Sequence, residues 1–526
     1  LPRNIFCDRE NSSGKDISEL ENLEDLKSKI DNFKEVKVDA ESIYVGRLNA
    51  NNKAEKAFSI SNGNEIGTIT LDDPIQIKEA LEKDSLDEWK AIEVNERAEI
   101  LNLIADDIEN DPYELIYFLI NEAGKTIQNA IDEIREGVDF LRYYSNQSVE
   151  LFNSTELNGP TGEDNQMNCT PKGTFLCISP WNFPVAILIG QISAALSCGN
   201  KVIVKPSEYS SILGYLVVKK FHKYGVPKSA LSLILGDGLY GDFLTKIKPL
   251  HGVAFTGSLP TAKKIQANII EYQNQIIPLI AETGGINAMI VDSSALLEQA
   301  TDDIVRSAFD SAGQRCSALR VLCVQEEIYD DLKDMIIGNM QMQTVGDPNL
   351  FETDIGPIIN NKAYKKLSSY ISLCSEKGYK IHQPNKKVPD MHIAPTLVEI
   401  KAISNITEEQ FGPILHILKY SSNEIDELIN QINESEYGLT MGIHSRIEAR
   451  ADYMSSKSNV GNIYINRDMV GAVVGSQPFG GIGLSGSGFK AGGPNYLLQF
   501  VNEKVVSKNS VAFGGNTELL NIQEDL

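Results

Sequence analysis

The chain has 526 residues, of which 42% are hydrophobic and 23% charged, a balance that excludes a disordered or fibrous chain and allows a large buried core in about three folded units. Lys and Arg number 48 against 72 Asp and Glu, a formal net charge of −24, so nucleic acid is excluded as a partner unless a local basic patch exists. The seven cysteines are odd in number and form no CxxC pair, which points to a reducing, cytoplasmic setting; the histidines show no metal-ligand spacing, and no metal is expected.

The first forty residues are acidic and helical in character. Residues 85–143 read as helices, with Ile127, Ala130, Ile131, Ile134, Val138 and Leu141 at helical spacing. The polar stretch 153–168, with Gly159-Pro160, is either a linker or a surface hairpin. Residues 173–178 read as a buried strand, and the apolar tract from Phe183 to Cys198, broken by Pro184, Gln191 and Ser193, as a core helix too short for a membrane span. Strands follow at Lys201–Lys205, Leu231–Leu235 and Val253–Thr256, with a helix at Ile212–Tyr224. This alternation predicts a parallel, doubly wound α/β sheet of Rossmann type. It begins again at Ile276, with strands at Ile276–Ala281, Asn287–Val291 and Leu319–Val324 and helices at Thr301–Ala312 and Glu326–Met342, so a second α/β unit starts near Gly284. Between Gly471 and Gly493 there are nine glycines, a density that fits either a backbone that must approach a ligand closely or a flexible loop without function.

Two GxGxxG matches occur, and neither stands alone as a dinucleotide fingerprint. Gly236–Gly241 follows a strand but lacks the acidic residue about 20 positions on; Gly238 remains a candidate for the cofactor cleft. Gly481–Gly486 follows no convincing strand. The strand ends say more, because ligands of open α/β sheets bind beyond them. Ser179-Pro180-Trp181-Asn182, Lys205-Pro206-Ser207-Glu208 and Phe255-Thr256-Gly257-Ser258 fall at three equivalent ends, which favours one dinucleotide site. Cys316 lies in Gly313-Gln314-Arg315-Cys316-Ser317-Ala318. A lone cysteine is usually inert core, but this one has polar neighbours, and Arg315 is expected to favour its thiolate. Glu282, ending an apolar strand, is either a paired strand terminus or a general base.

Together these segments resemble the aldehyde dehydrogenase superfamily. The resemblance is carried by Pro180-Trp181-Asn182-Phe183-Pro184, Lys205-Pro206-Ser207-Glu208, Phe255-Thr256-Gly257-Ser258, Glu282-Thr283-Gly284-Gly285, Gly313-Gln314-Arg315-Cys316, Glu409-Gln410-Phe411-Gly412-Pro413 and Pro478-Phe479-Gly480-Gly481, in the family's order and over most of the chain. Within the family, Arg315–Arg320, the run Asn466–Gly475, Lys490–Pro494 and Leu1-Pro2-Arg3 resemble the L-glutamate γ-semialdehyde (1-pyrroline-5-carboxylate) dehydrogenase half of bifunctional proline utilisation proteins. The start at Leu1 fits a module severed from an upstream proline dehydrogenase module, and the C-terminal residues look like the natural end of such proteins. One departure is Ala262, where many relatives carry Gly.

The resemblance implies a fold with a Rossmann-type NAD-binding domain (1–152 and 169–283), an α/β catalytic domain (284–475), an oligomerisation flap (153–168 and 501–526) and a Gly-rich segment returning to the NAD-binding domain (476–500). Val501, Val505, Val506, Val511 and Phe513 are expected to give the flap its apolar surface, and a homo-oligomer is expected. It implies Cys316 as nucleophile, Glu282 as the base that activates water and Asn182 as oxyanion donor. NAD would be held by Ile178, Ser179, Pro180, Trp181, Lys205, Ser207, Glu208, Gly238, Gly257, Ser258, Glu409 and Phe411, and a small semialdehyde by Glu136, Phe183, Ser317, Gly471, Ala472 and Phe479. Glu136 lies on the polar side of its helix, where exposure to solvent is the ordinary reading; it is the candidate partner for a substrate ammonium. The activity implied is oxidation of L-glutamate γ-semialdehyde to glutamate in proline catabolism. Alternatives are another semialdehyde such as that of succinate, an inactive homologue, or a Cys/His hydrolase; the presence of Cys316, Glu282 and Asn182 argues against the second, and the lack of a partner His against the third.

Overall fold

The computed structural model describes residues 2–7, 9–15, 19–48, 54–83, 88–471 and 473–513. Helix α1 (Leu20–Asp31) lies in the acidic start before β1 (Val38–Glu41), which pairs with β3 (Glu65–Thr70), itself paired to β2 (Ala54–Phe58). The predicted helical region resolves into α2 (Pro74–Lys83), α3 (Glu88–Ala91), α4 (Val94–Asn110), α5 (Tyr113–Asn121) and α6 (Ile127–Leu151). Thr126 caps α6 by accepting from Asn129 N at 3.3 Å.

Residues 153–168 are a hairpin rather than a linker. Strand β4 (Thr155–Leu157) pairs antiparallel with β5 (Glu163–Pro171), which later receives β20 (Val501–Asn509) along its other edge. Next come β6 (Thr174–Ile178), α7 (Ala186–Ser197), β7 (Lys201–Lys205), α8 (Ser211–Lys223), β8 (Leu231–Leu233), α9 (Gly238–Leu244), β9 (Gly252–Thr256), α10 (Leu259–Tyr272) and β10 (Leu279–Glu282). The five strands form one parallel sheet in the order β10-β9-β6-β7-β8. A parallel sheet covered on both faces needs apolar side chains on both. In β6, Phe175 and Cys177 enter the large core under α4–α8, while Leu176 and Ile178 enter a smaller core on the opposite face. Helix α7 is buried on every side, so its sequence carries no polar stripe.

A second sheet has seven strands in the order β13-β14-β15-β12-β11-β17-β18. Its members are β11 (Ala288–Val291), β12 (Val321–Gln325), β13 (Ile381–His382), β14 (Thr396–Glu399), β15 (Ile414–Tyr420), β17 (Thr440–His444) and β18 (Asn462–Ile465), parallel except for the edge strand β13. It surrounds its own core with α11 (Leu297–Phe309). Two short strands, β16 (Tyr437–Gly438) and β19 (Ile482–Gly483), pair with each other. Among the described residues no helix is long and apolar enough to cross a membrane.

Candidate active site

Helix α11 stops at Phe309, short of the expected Ala312, because the chain turns sharply. Ser311 and Ala312 take φ of 55° and 56°, a left-handed conformation costly for residues with a Cβ. Gly313 follows at φ 62°, and a Cβ there would collide with the Gly412 carbonyl. Two side chains to which the sequence reading gives no role fix this turn. The buried guanidinium of Arg320 donates to the carbonyls of Gly313 (2.8 Å), Arg315 (2.9 Å) and Gly412 (3.1 Å) and to Glu409 Oε1 (3.2 Å). Asn287 Nδ2 donates to the carbonyls of Cys316 (2.6 Å) and Ala318 (2.9 Å). With carbonyls held on both sides of it, Cys316 has little freedom to move. The Asn182 amide lies against the same turn, donating to Gln314 O at 3.1 Å; an Asn nitrogen carries two N–H donors, and this contact accounts for one.

Cys316 faces a cleft of ≈ 830 Å³, open mouth included. Of the sequence candidates, Glu136, Phe183, Glu282, Ser317, Gly471 and Phe479 line it with Cys316; Ala472 lies outside the described residues. The reading missed Phe140, Tyr144, Ile187 and Tyr496, which make the wall aromatic and aliphatic, and helical periodicity in α6 is the signal that pairs Phe140 and Tyr144 with Glu136. Glu136 is half-buried on the cleft wall rather than exposed. Phe183 is fixed by two cations, Lys125 Nζ at 3.9 Å and the Arg315 guanidinium at 5.2 Å from its ring centre. Glu133 completes this layer: its Oε1 accepts from Val185 N (2.8 Å) and Ala186 N (3.3 Å) at the start of α7, and its Oε2 lies 3.4 Å from Lys125.

The electrostatics correct one expectation. Arg315 does not acidify the thiol; its guanidinium pairs with Asp310 at 2.7 Å. Burial, followed by the negative charges of Glu409, Glu282 and Glu136, pushes the Cys316 thiol up to about 12, with the Ser317 backbone N–H opposing. The surroundings therefore favour the thiol over the thiolate. Burial pushes Glu282 up to about 8 against the Gly481 N–H (2.9 Å) and the charge of Lys490. Glu136 is pushed up to about 7 by burial and by Glu133.

Part of the glycine-rich stretch also approaches a side chain of the protein itself: a Cβ on Gly480 would lie 2.8 Å from Glu282 Oε1, and Gly481 N donates a hydrogen bond to Glu282 Oε2 at 2.9 Å. The second GxGxxG is thus a cradle for a carboxylate.

A second cluster gathers at the carboxyl ends of the adjacent strands β9, β6 and β7. Ser179 Oγ is buried with no hydrogen-bond partner. Lys205 is 3% exposed, and its ammonium donates to Pro206 O at 3.1 Å, 3.9 Å from Glu208. Ser207 accepts from Tyr209 N at 3.3 Å. Ser258 precedes α10 and bonds Thr261 at 2.9 Å. Gly238 opens α9, and nothing lies within 4 Å of where its Cβ would be. Ile178 is buried at the end of β6, and Gly257 packs on the Phe255 ring. Trp181, after Pro180, meets Phe411 edge to face at 5.7 Å, which joins this cluster to the Glu409–Phe411 segment beside the nucleophile turn. An orphaned hydroxyl, a buried ammonium and free space at a helix start fit the ribose and pyrophosphate of a dinucleotide.

A parallel α/β sheet with this cluster, joined to a half-buried Cys and Glu across one cleft, defines the class. Residues 48–506 match the aldehyde dehydrogenase family, and the chain belongs to that family. It is 41% identical over 527 aligned positions to the bifunctional protein PutA of Escherichia coli, covering 97% of this chain and 39% of that protein. It is 32% identical to a Staphylococcus aureus 1-pyrroline-5-carboxylate dehydrogenase, covering 95% and 98%. Among solved structures, a proline utilization A mutant from Bradyrhizobium japonicum superposes with a TM-score of 0.88 at 39% identity, covering 97% of this chain and 49% of that one. A variant of Thermus thermophilus 1-pyrroline-5-carboxylate dehydrogenase gives 0.89 at 28% identity, covering 95% and 98%. The chain thus spans about a third to a half of the length of the PutA proteins it matches.

Proposed function

We propose that the chain oxidises L-glutamate γ-semialdehyde, the open form of 1-pyrroline-5-carboxylate, to L-glutamate with NAD. The observation that carries this is one cleft in which Cys316 and Glu282 share a wall with Glu136, Ser317 and Gly471, a pairing of reactive and polar groups suited to an aldehyde with a charged far end. The likeness to both PutA and free-standing 1-pyrroline-5-carboxylate dehydrogenases supports it.

The Cys316 thiol gives up its proton to solvent, and its sulfur attacks the aldehyde carbon. Asn182 Nδ2 and the Cys316 backbone N–H stabilise the oxyanion. A bound nicotinamide supplies the hydride acceptor. Glu282, as carboxylate, then takes a proton from water, which attacks the thioester on Cys316 and releases the acid. Lys205 and Glu208 hold the adenosine ribose, with Ser179, Ser207 and Gly238 beside them; Gly257 and Ser258 meet the pyrophosphate, and Glu409 and Phe411 the nicotinamide ribose. Ile178, Pro180 and Trp181 would wall the cofactor site. Glu208 disfavours a 2′-phosphate through like charge, which is the basis for NAD over NADP. Ser317 and the Gly471 N–H bind the substrate carboxylate, Glu136 its ammonium, and Phe183 and Phe479 its carbon chain.

Reduced-cofactor formation with a panel of semialdehydes tests this, with NAD and NADP compared in parallel. Glutamate semialdehyde is expected to be the best substrate. Ser317→Ala should lower its kcat/KM about tenfold or more while changing propanal little, because a charge-assisted contact is lost. A wild-type preference for succinate semialdehyde, or equal losses for both aldehydes, would overturn the substrate assignment.

A further inference from the structure

Gly471 lines both the active-site cleft and a second, polar cavity beside it, and Val473, Val474 and Gly475 lie just beyond it in the chain. Tyr464 Oη donates to Gly471 O at 3.3 Å, and Gly475 N donates to Gly492 O at 2.9 Å. These anchors come from within the stretch 48–506 that matches the family. A third comes from outside it: Arg9 Nη2 donates to Val474 O at 2.7 Å. Arg9 is only 9% exposed. Its guanidinium lies 4.0 Å from the Phe6 ring centre and 5.4 Å from that of Tyr143 on α6. The neighbouring Ser12 is tied to α6 as well. Asp139 accepts from Ser12 N at 2.7 Å and Ser12 Oγ at 2.9 Å, and lies 3.9 Å from Arg9 Nη1; Arg135 Nε donates to Ser12 Oγ at 3.4 Å. Asp139 stands one turn along α6 from Glu136, on the cleft wall. One short arm therefore grips the two elements that frame the polar end of the cleft, through a buried charged donor that is costly to leave unpaired.

We propose that residues 9–12 act as a clamp, with Arg9 a positioning residue that holds the segment 473–475 against α6 and so sets how well the cleft fits the charged end of its substrate. The consequence for substrate rests on Gly471 meeting the substrate carboxylate; the clamp itself does not. Arg9→Met, Arg9→Lys and Ser12→Ala in the full chain test it by two independent measurements. Amide hydrogen exchange of residues 473–477, without substrate, should speed up in Arg9→Met, less in Ser12→Ala and least in Arg9→Lys. In steady-state kinetics Arg9→Met should raise KM for glutamate semialdehyde about fivefold or more with kcat nearly kept, leave propanal within about twofold, and be largely rescued by Lys. Unchanged exchange in every variant overturns the clamp, and equal losses on both aldehydes overturn its role in substrate fit. If Arg9→Met does not fold, Ser12→Ala and Arg9→Lys decide by the same readings. If the wild type does not oxidise glutamate semialdehyde at all, the substrate assignment falls while the exchange comparison still decides the clamp.

Discussion

At Cys316 and Glu282 the two reactive groups are shifted the same way for the same reason. Burial disfavours both anions, and the charge of Glu282 further raises the cost of ionising Cys316. For Glu282 this places a base near the working pH, which is where proton transfer is most effective. Only the carboxylate can accept water's proton, so thioester hydrolysis should rise with pH and reach half its maximum near the value of about 8 set by burial. Glu282→Gln keeps the shape that fits the Gly480–Gly481 cradle but removes the base. Rapid mixing should then show a burst of about one reduced cofactor per site, followed by turnover slowed on the order of 100-fold or more and no longer dependent on that ionisation. An unchanged rate and pH profile would make Glu282 a merely structural carboxylate. The residue scale also shows what local sequence could not supply. Cys316 was legible from its polar neighbours, but the role given to Arg315 failed because its partner Asp310 competes for it. Arg320, Asn287 and Lys490 were missed because each acts on a segment distant in sequence: Arg320 reaches Glu409, Asn287 reaches Cys316, and Lys490 lies beside the Glu282 cradle.

Among the elements, the buried parallel strands were the most legible. β6 and β7 are continuous apolar runs closed by turn residues, and both were placed within one residue of their observed bounds. The region 153–168 was left between linker and hairpin because its stabilising partner, β20, lies more than 300 residues away. Helix α11 ended early for a reason outside its own periodicity, the left-handed turn that delivers Cys316. Another element-scale device, the start of α8, also went unread. Ser210 makes no side-chain cap there; instead Glu122, beyond the end of α5, accepts from Ile212 N at 2.8 Å and Leu213 N at 2.9 Å. These are helix-end donors that would otherwise be orphaned. Glu122→Ala should therefore cost about 1–3 kcal/mol of stability. Burial pushes Glu122 from the ordinary 4.5 up to about 8. Its folded value lies above its unfolded one, so the fold binds the proton more tightly, and this group's contribution is full below about 4.5 and falls as pH rises toward 8. Glu122→Gln, which mimics the protonated form, should be close to neutral in urea denaturation at pH 5 and gain on the wild type at pH 9. A gap of the opposite sign would show that the two helix N–H groups outweigh burial.

At the scale of the molecule, the sheet β4-β5-β20 stands apart from the two large cores. Of its residues only Val501 is buried, and that side chain belongs to the core under α4–α8 rather than to an outer surface. Val505 is 57% exposed and Val506 half-buried; the side chains of Val511 and Phe513, and all of residues 514–526, lie outside the described residues. A three-stranded sheet without a buried face is marginal in water, and the outer edge of β20 offers unpaired backbone groups to another chain. We propose that a second copy of the chain supplies the missing cover, which makes this sheet the oligomerisation flap. The net charge of −24 opposes association through repulsion between copies, and salt screens that repulsion. Sedimentation at micromolar concentration should therefore give an assembly larger than a monomer, more complete at 0.3 M salt than at low salt on the order of 0.03 M, where the Debye length is longer. Val505→Asp adds a charge to the exposed strand without touching either large core, so it should shift the protein toward monomer while leaving thermal unfolding of the remaining fold within a few degrees. A wild type that sediments as a monomer at both salt concentrations, or an assembly indifferent to Val505→Asp and to removal of residues beyond Phe500, would place the cover elsewhere.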